Sequence, residues 1–562
     1  MSLKRILLGS AAVLVLATSA IHGAIAADRT VADFAMIGDT EAVRALLAQH
    51  ADVDARQADG ATALHWAVYR DDSAFAKVLI EAGANVHAAT RDGATPLSLA
   101  ATAGNPEILA ILLGAGADPN EKLPFGKTAL MLAARNGNPA ALTMLLDHGA
   151  DVNAKEDLRG TTPLMWAADE AHPGAVKALV DHGADVKARS AGAPRGRGPA
   201  LGKAGDPRKE QAARAAADQA RAAAGGQGQA AAGQTPFDRE GPADGGQLTA
   251  LVYAARTNDL ESVKILLAAG ADVNQTTGYG WSPLLVATQN RHYKLAAYLL
   301  DHGADPDLAN NGGWTPLYLA TDNRNIENGD YPVRKADLEH LDFIKLLLDK
   351  GTDVNARVKD STETRTVFTN QWLDERGATA FLRASQSSDL ALMKLLLAHG
   401  ADPKIATELN VTALQVAAGI GWVEGVTTEW SEAANVEAVK LLLDLGVDPN
   451  VQADTGRTAL HGAGHKGRPA VIQMLVDAGA RLDTRDYGMV GNDAGGRLKA
   501  HTWQPVDYAD GLVRVGVQSA IAHPEAGLLF RKLMTERGLE APLMGRTLES
   551  VCIVSELCDD VQ

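Results

Sequence analysis

Cysteine is almost missing from this sequence: its 562 residues hold two, Cys552 and Cys558, both near the C-terminal end. A fold stapled by several disulfides is thereby excluded. With no histidine or second cysteine pair beside them, the two make no zinc set. They are either one terminal disulfide in an oxidising compartment or two free thiols. Long apolar runs are also missing beyond residue 26, so no later segment is suited to crossing a bilayer. Positive charge is scarce: 53 Lys and Arg stand against 69 Asp and Glu, a formal charge of −16. Such a surface repels nucleic acid and anionic lipid and favours a basic or neutral partner. Catalytic signatures are missing as well. There is no Gly-x-Ser-x-Gly elbow, no phosphate loop and no His-Glu-x-x-His, so neither a cofactor nor a metal is expected. Gly491, Gly495 and Gly496 form a loose cluster that reads as a turn.

What is present begins with the N-terminus. Lys4 and Arg5 precede a mostly apolar stretch, Ile6 to Ala17, and the small residues Ala24-Ile25-Ala26 follow. This reads as a secretory signal peptide over residues 1–26, cut after Ala26, with the mature chain periplasmic or secreted. The competing reading, a membrane anchor, needs about 20 apolar residues, and this core is shorter. Residues 1–26 carry two positive charges and no acid, so their removal takes the formal charge from −16 to −18. The remaining length is too great for one ordinary globular core and suits an array in which each unit covers its neighbours.

A repeat dominates. Openings at Thr62-Ala63-Leu64-His65, Thr95-Pro96-Leu97, Thr128-Ala129-Leu130 and Thr162-Pro163-Leu164 lie 33, 33 and 34 residues apart. Thr249, Ser282 and Thr315 resume the period of 33, and Thr379, Thr412 and Thr458 open three more units. Thr is a good N-cap, and Pro suits the first turn after it. Small pairs such as Ala133-Ala134 let helices approach closely, and runs such as Val263-Lys264-Ile265-Leu266-Leu267 give a second helix an apolar face. Gly149, Gly183, Gly303 and Gly400 end second helices, each preceded by a histidine (His148, His182, His302, His399) placed to meet the carbonyl end of the helix. Ten units are clear. Residues 28–58 and 502–538 read as degenerate end units, the latter with Trp503-Gln504-Pro505-Val506 in place of the usual opening.

The pattern resembles the ankyrin repeat over most of residues 28–540. That resemblance implies an all-α repeat fold: an ankyrin solenoid of about 12 helix-turn-helix units with β-hairpin finger loops and three insertions. It also implies a scaffold without catalysis that recognises a protein partner on its concave face.

The period breaks three times, at Thr162 to Thr249, Thr315 to Thr379 and Thr412 to Thr458. Residues 27–189 then form an N-terminal block and 190–247 an Ala/Gly/Gln/Pro-rich flexible insertion in a finger. Residues 248–540 form a C-terminal block with insertions near 323–340, 357–377 and 420–435, and 541–562 form a tail. Within the first insertion, Lys209 to Ala224 is rich enough in Ala to form helix transiently.

Eight tryptophans carry the functional signal. Trp66 and Trp166 occupy the helix position of Leu99, Leu132 and Leu319 and are expected in the core, and Trp503 belongs to the end unit. Trp281, Trp314, Trp372, Trp422 and Trp430 cluster in successive repeats and insertions. The resemblance places Trp281 and Trp314 at an exposed finger-side position, and Tyr279, Gln289, Asn290, Asp322 and Asn323 at others used for contact. Since interface hot spots favour Trp, Tyr and Arg, the partner-binding surface is expected over residues 279–430. The alternative is that the insertions fold back and bury these rings. Two further readings of the same surface are a carbohydrate or small-ligand platform and a secreted effector acting on another cell's proteins. An enzyme built on Glu327, Asp330, Asp337 and Glu339 has no nucleophile or metal pattern to support it. His461 and His465 have metal-capable spacing on one helix, but His461, like His65, falls in the Thr-Ala-Leu-His opening, where the family uses histidine structurally.

Overall fold

The computed structural model describes residues 29–193, 245–325, 334–360, 373–424, 427–488, 501–513, 521–547 and 550–551, with 212, 216 and 219 singly. The signal-peptide reading, nearly all of the 190–247 insertion, Glu327, Asp330, Trp372, the Gly491–Gly496 cluster, Cys552 and Cys558 lie outside these residues.

The described chain is built from helix pairs, with strand confined to two short segments, Gly192–Ala193 and Gly245–Gly246. A first compact unit comprises residues up to Ala193 together with Gln247–Gln275. Its six pairs are α1/α2 (Val31–Ile37, Thr40–Ala48), α3/α4 (Ala63–Tyr69, Ser73–Glu81), α5/α6 (Pro96–Ala103, Pro106–Gly114), α7/α8 (Ala129–Asn136, Pro139–Asp147), α9/α10 (Pro163–Asp169, Pro173–Asp181) and α11/α12 (Ala250–Thr257, Leu260–Ala268). A second unit, from Thr276, holds α13/α14 (Pro283–Gln289, Tyr293–Asp301), α15/α16 (Pro316–Arg324, His340–Asp349), α17/α18 (Ala380–Gln386, Leu390–Ala398), α19/α20 (Ala413–Ala418, Glu432–Asp444), α21/α22 (Ala459–Lys466, Pro469–Asp477) and α23/α24 (Pro505–Ala509, Pro524–Glu536). The twelve described pairs agree with the architecture expected from the repeat.

Helices of five to thirteen residues do not hold in isolation, so their stability comes from packing. Within each unit the first helix of one pair packs on the first helix of the next. The small pairs Ala67-Val68, Ala100-Ala101 and Ala133-Ala134 are fully or almost fully buried at these seams, where larger side chains would hold the helices apart. Leu79, Leu112, Leu145 and Leu179 from the second helices complete the core of the first unit. Burying each such leucine stabilises by about 1.5–3 kcal/mol.

Local chemistry sets the helix ends as the sequence reading expects. Thr95, Ser282 and Thr379 accept from the backbone N–H three residues on, at 3.1–3.2 Å. His148, His182, His302 and His399 each place Nδ1 2.7–2.9 Å from the carbonyl oxygen four residues back. Gly149 follows with φ 86°, a left-handed conformation that L side chains resist. A ladder of asparagines ties neighbours together. Asn120 donates to Gly149 O at 2.8 Å and accepts from Asp151 N, and Asn355 and Asn450 make the matching bonds to Gly400 O and Gly479 O. The fingers are tight turns, closed for example by Thr277 N to Trp281 O and Asn310 N to Trp314 O, and rungs such as Arg91 N to Asp59 O join one finger to the next.

Candidate functional site

On every first helix the residues four, seven and eight places after the opening Thr or Ser lie along one line, and this line separates the two units. In the first unit its last two places are open from Tyr69 to Glu170, and it closes at the buried Tyr253. Tyr69 and Arg70 are exposed, as are Thr102 and Ala103, Arg135 and Asn136, and Asp169 and Glu170. Trp66 and Trp166, expected in the core, are half-buried on this same side. Their indole N–H groups are satisfied locally, Trp66 Nε1 by Gln57 Oε1 at 2.7 Å and Trp166 Nε1 by Thr161 Oγ1 at 2.8 Å, leaving a ring edge toward solvent. The correction has a simple cause: this position faces the fingers, not the neighbouring helix.

Between fingers and helices lies a groove of about 300 Å³, lined among others by Lys127, Leu158, Arg159, Trp166 and Tyr253. Two fingertip side chains near it, Phe125 and Leu158, are 57% and 65% exposed. Exposed apolar groups beside half-buried aromatics are the usual texture of an interaction surface.

In the second unit the same line is covered. Asn323, Gln386, Ser387, His465 and Lys466 are buried, and Gln289, Asn290 and Asp322 half-buried. The covering is the chain's own inserted segments. Arg334, in the segment between α15 and α16, donates to His292 Nε2 at 2.7 Å, and its carbonyl accepts from Arg291. In the segment between α19 and α20, the Gly421 carbonyl accepts from Gln386, and Trp430 Nε1 donates to Asn325 Oδ1 at 3.0 Å. Arg324 lies over the Trp430 ring at 4.4 Å and bonds Asp389, while Arg383 bonds Asp322 and the Asn325 carbonyl. Glu429 meets Lys466 Nζ at 2.6 Å as an ion pair off the hydrogen-bond direction, and takes Arg468 at 2.9 Å. Burial holds the Lys466 ammonium below its ordinary pKa, against the pull of Glu429. Burial likewise holds His340, His461 and His465 at about 4, so all three are neutral at pH 7.

The partner-binding residues expected over 279–430 therefore fall into different places. Trp314 is a correction: at 1% exposure it is core, because the next finger crosses it, with Trp314 Nε1 donating to Asp360 O at 3.1 Å and Lys359 N bonding Gly312 O. Tyr279 is buried beside it, its hydroxyl donating to Asp360 Oδ2 at 2.6 Å. Asn323 is buried too, its amide donating to Thr288 O at 2.7 Å. Asp322 is committed to Arg383 at 3.0 Å, and Asn290 bonds the Val286 carbonyl of its own helix. Trp281 packs half-buried against the core around Trp314. Trp422 sits half-buried, edge-on to His465 with Lys466 over its ring at 5.7 Å. Trp430 alone of these five rings is exposed among the described residues, at 49%. Tyr279 and Trp314 are thus brought together around Asp360, and Asp322, Asn323 and Trp430 around the α15 terminus. No single open surface unites them.

His65 and His461 do the structural work expected of the opening. Each Nδ1 accepts from the N-cap backbone, and each Nε2 reaches the next finger, at Ala94 O and Trp503 O. Among the described residues no cluster of histidine, cysteine and acids is arranged to hold a metal ion. Nor is any described helix long and apolar enough to cross a membrane.

Paired short helices, tight fingers and the bonds that join neighbouring repeats within each unit define a repeat scaffold of the kind that binds proteins. The model of "Ankyrin repeats (3 copies)" matches residues 32–123, 99–190, 251–358 and 381–486, about two thirds of the chain. The chain belongs to the ankyrin-repeat family. No curated protein matches it.

Proposed function

We propose that this protein is an exported scaffold without catalytic activity, and that it takes its protein partner on the finger side of the first unit. One contrast carries the reading: the same helical positions are exposed from Tyr69 to Glu170, and buried under the chain's own segments from Asn323 to Lys466. A recognition surface has to be reachable, and Trp66 and Trp166 are half-buried on the side that also carries the exposed Tyr69, Phe125 and Leu158. The glycan-platform reading of the later tryptophans loses its footing, since Trp314 is core and Trp281 and Trp422 are packed. Export rests on the charged, apolar and small-residue order of residues 4–26.

The test is affinity capture with the full chain from an extract of the cell envelope, using wild type, Trp66→Ala/Trp166→Ala and Trp281→Ala/Trp430→Ala. The first double variant should lose the partner and the second should keep it. The reverse pattern would return the surface to residues 279–430. N-terminal sequencing of the protein recovered outside the cytoplasm should start at Ala27, and recovery only of intact, cytoplasmic chain would end the export proposal.

A further inference from the structure

One fingertip of the first unit holds its backbone against preference. Two places before their opening threonines stand Gly60, Gly93, Gly126 and Gly160, all left-handed. Three places before the openings, Asp59, Asp92 and Arg159 keep a negative φ, whereas Phe125 has φ 64° and ψ 27°. Left-handed backbone strains any residue with a side chain, and suits a bulky one least. Pro124 is the local cause. Between other fingers of this unit a rung is made by Arg91 N to Asp59 O, Asp157 N to Phe125 O and Ala191 N to Arg159 O, at 2.6–2.8 Å. Proline has no N–H with which to make the matching bond to Asp92 O. Its ring lies against Gly93 instead, where a Cβ would come within 2.6 Å of it. The turn is closed by Gly126 N to Leu123 O at 3.0 Å. In such a turn, with proline followed by a left-handed residue, glycine or asparagine ordinarily takes the place that Phe125 holds.

The ring gives the free fold little in return. It is 57% exposed, with the Lys127 ammonium 5.7 Å from its centre, a weak contact at such exposure. Leu158, on the next fingertip and joined to this one by the Asp157 rung, is 65% exposed. Strain and exposed apolar surface both count against the free protein, and together they point to a function. We infer that Phe125 is an anchor: with Leu158 it forms a knob that enters an apolar pocket on a folded partner protein. Size decides between occupants. The two side chains expose on the order of 200 Å² together, against about 800 Å² per partner in a standard interface. Two copies of this chain meeting tip to tip would therefore bury too little. Leu158 also lines the groove that leads to Trp166, so a partner closing over the tips continues along it. An extended peptide could lie beside the knob but not enclose it, which is why the partner is folded. The inference rests on the first unit's finger side being the partner surface, and names the residue that anchors it and the shape it meets.

The experiment compares the full chain with its Phe125→Asn variant in two measurements. Asparagine is at ease in the left-handed conformation, so amide-exchange protection of α5 and α7, on either side of this finger, should match wild type or rise by up to about fivefold. A ring that served the fold would be missed, and a fall in protection overturns the inference. The second measurement is affinity capture from envelope extract, used intact and after digestion to peptides. From the intact extract wild type should enrich a protein about tenfold or more over the variant, and still do so at about 0.5 M salt, because the contact is apolar. From the digest wild type should enrich no peptide over the variant. Equal capture by the two chains, none by either, or a peptide enriched by wild type overturns the inference. If capture depends on Trp66 and Trp166 but not on Phe125, the anchor fails and the surface stands. If it depends on Phe125 and ignores Trp66 and Trp166, the anchor stands and the surface assignment fails.

Discussion

Glu429→Ala should open the second unit. Glu429 lies in the segment between α19 and α20 and is the counter-ion of Lys466, whose side chain is wholly inaccessible. Arg468 keeps Glu432 at 2.9 Å, so the loss falls on Lys466. Stranding a buried charge in this way costs about 3–5 kcal/mol. The sign of the pH dependence follows from the same pair. Burial already lowers the Lys466 pKa from its ordinary 10.5, and removing Glu429 takes away the attraction that opposed it. Between the lowered folded value and 10.5 the unfolded chain binds more protons than the folded one, so the variant gains stability as pH rises through that window. Its deficit against wild type is therefore largest near pH 7 and smaller near pH 9. Amide hydrogen exchange is the suitable assay, because a repeat stack need not open as one unit. Protection should fall in α21 and across the segment before α20, and acrylamide should quench Trp422 and Trp430 more strongly. Glu429→Gln combined with Lys466→Met, which removes both charges, should recover most of the loss. A deficit below about 1 kcal/mol, equal at pH 7 and pH 9, would refute the assignment of Glu429 as the tie that holds the cover.

Trp314→Ala should destabilise the second unit by about 3–5 kcal/mol in urea titration, as for a large core deletion, and Trp314→Phe by about 1 kcal/mol for the lost bond to Asp360 O. An exposed interface residue would show neither. His340, His461 and His465, held neutral by burial with pKa values at about 4, contribute stability that is complete above about pH 6.5 and is lost as pH falls toward 4, because the unfolded chain takes up protons the fold resists. Melting temperature should fall between pH 7.5 and 4.5, with a shallower fall in His461→Gln; parallel slopes would remove His461 from the account. Gly149→Ala meets open space, yet its φ of 86° should cost about 1–2 kcal/mol, which a urea titration resolves.

The repeat itself was legible because its signals are local. An N-cap threonine, a proline at the first turn, paired alanines and a closing glycine each act within a few residues, and all agree on the same helix bounds. The histidines at helix ends and in the Thr-Ala-Leu-His openings were legible for the same reason. What escaped was which polar and aromatic positions stay open. Trp314 has the same place in its repeat as Lys127 has in another, one residue before the opening threonine, and no local feature distinguishes them. The difference lies in Asp360, 46 residues away in the next finger. Trp66 and Trp166 were misread as core because leucine holds that position in other repeats, but Leu99 and Leu132 are themselves half-buried there.

The insertions explain why the second unit spends polar residues where an ankyrin face is ordinarily open. Asp322 with Arg383 joins α15 to α17, Arg324 with Asp389 joins α15 to the N-cap of α18, and side chains of these pairs are at most 14% exposed. Buried ion pairs give little net stability over apolar packing, so strength alone does not account for them. Their geometry does more. Each pair accepts one register between neighbouring repeats, and Arg324 also fixes the Trp430 ring, so the cover is seated by the same groups that align the helices beneath it. Those side chains cannot also serve a partner, since a partner would have to break the pairs and pay their desolvation. In the first unit Arg135 and Glu170, Arg256 and Asp169 also pair across repeats, but at 43–63% side-chain exposure, where such contacts exchange easily with an incoming ligand. Exposure, more than residue type, therefore separates the face that is committed to the fold from the face that remains available for recognition.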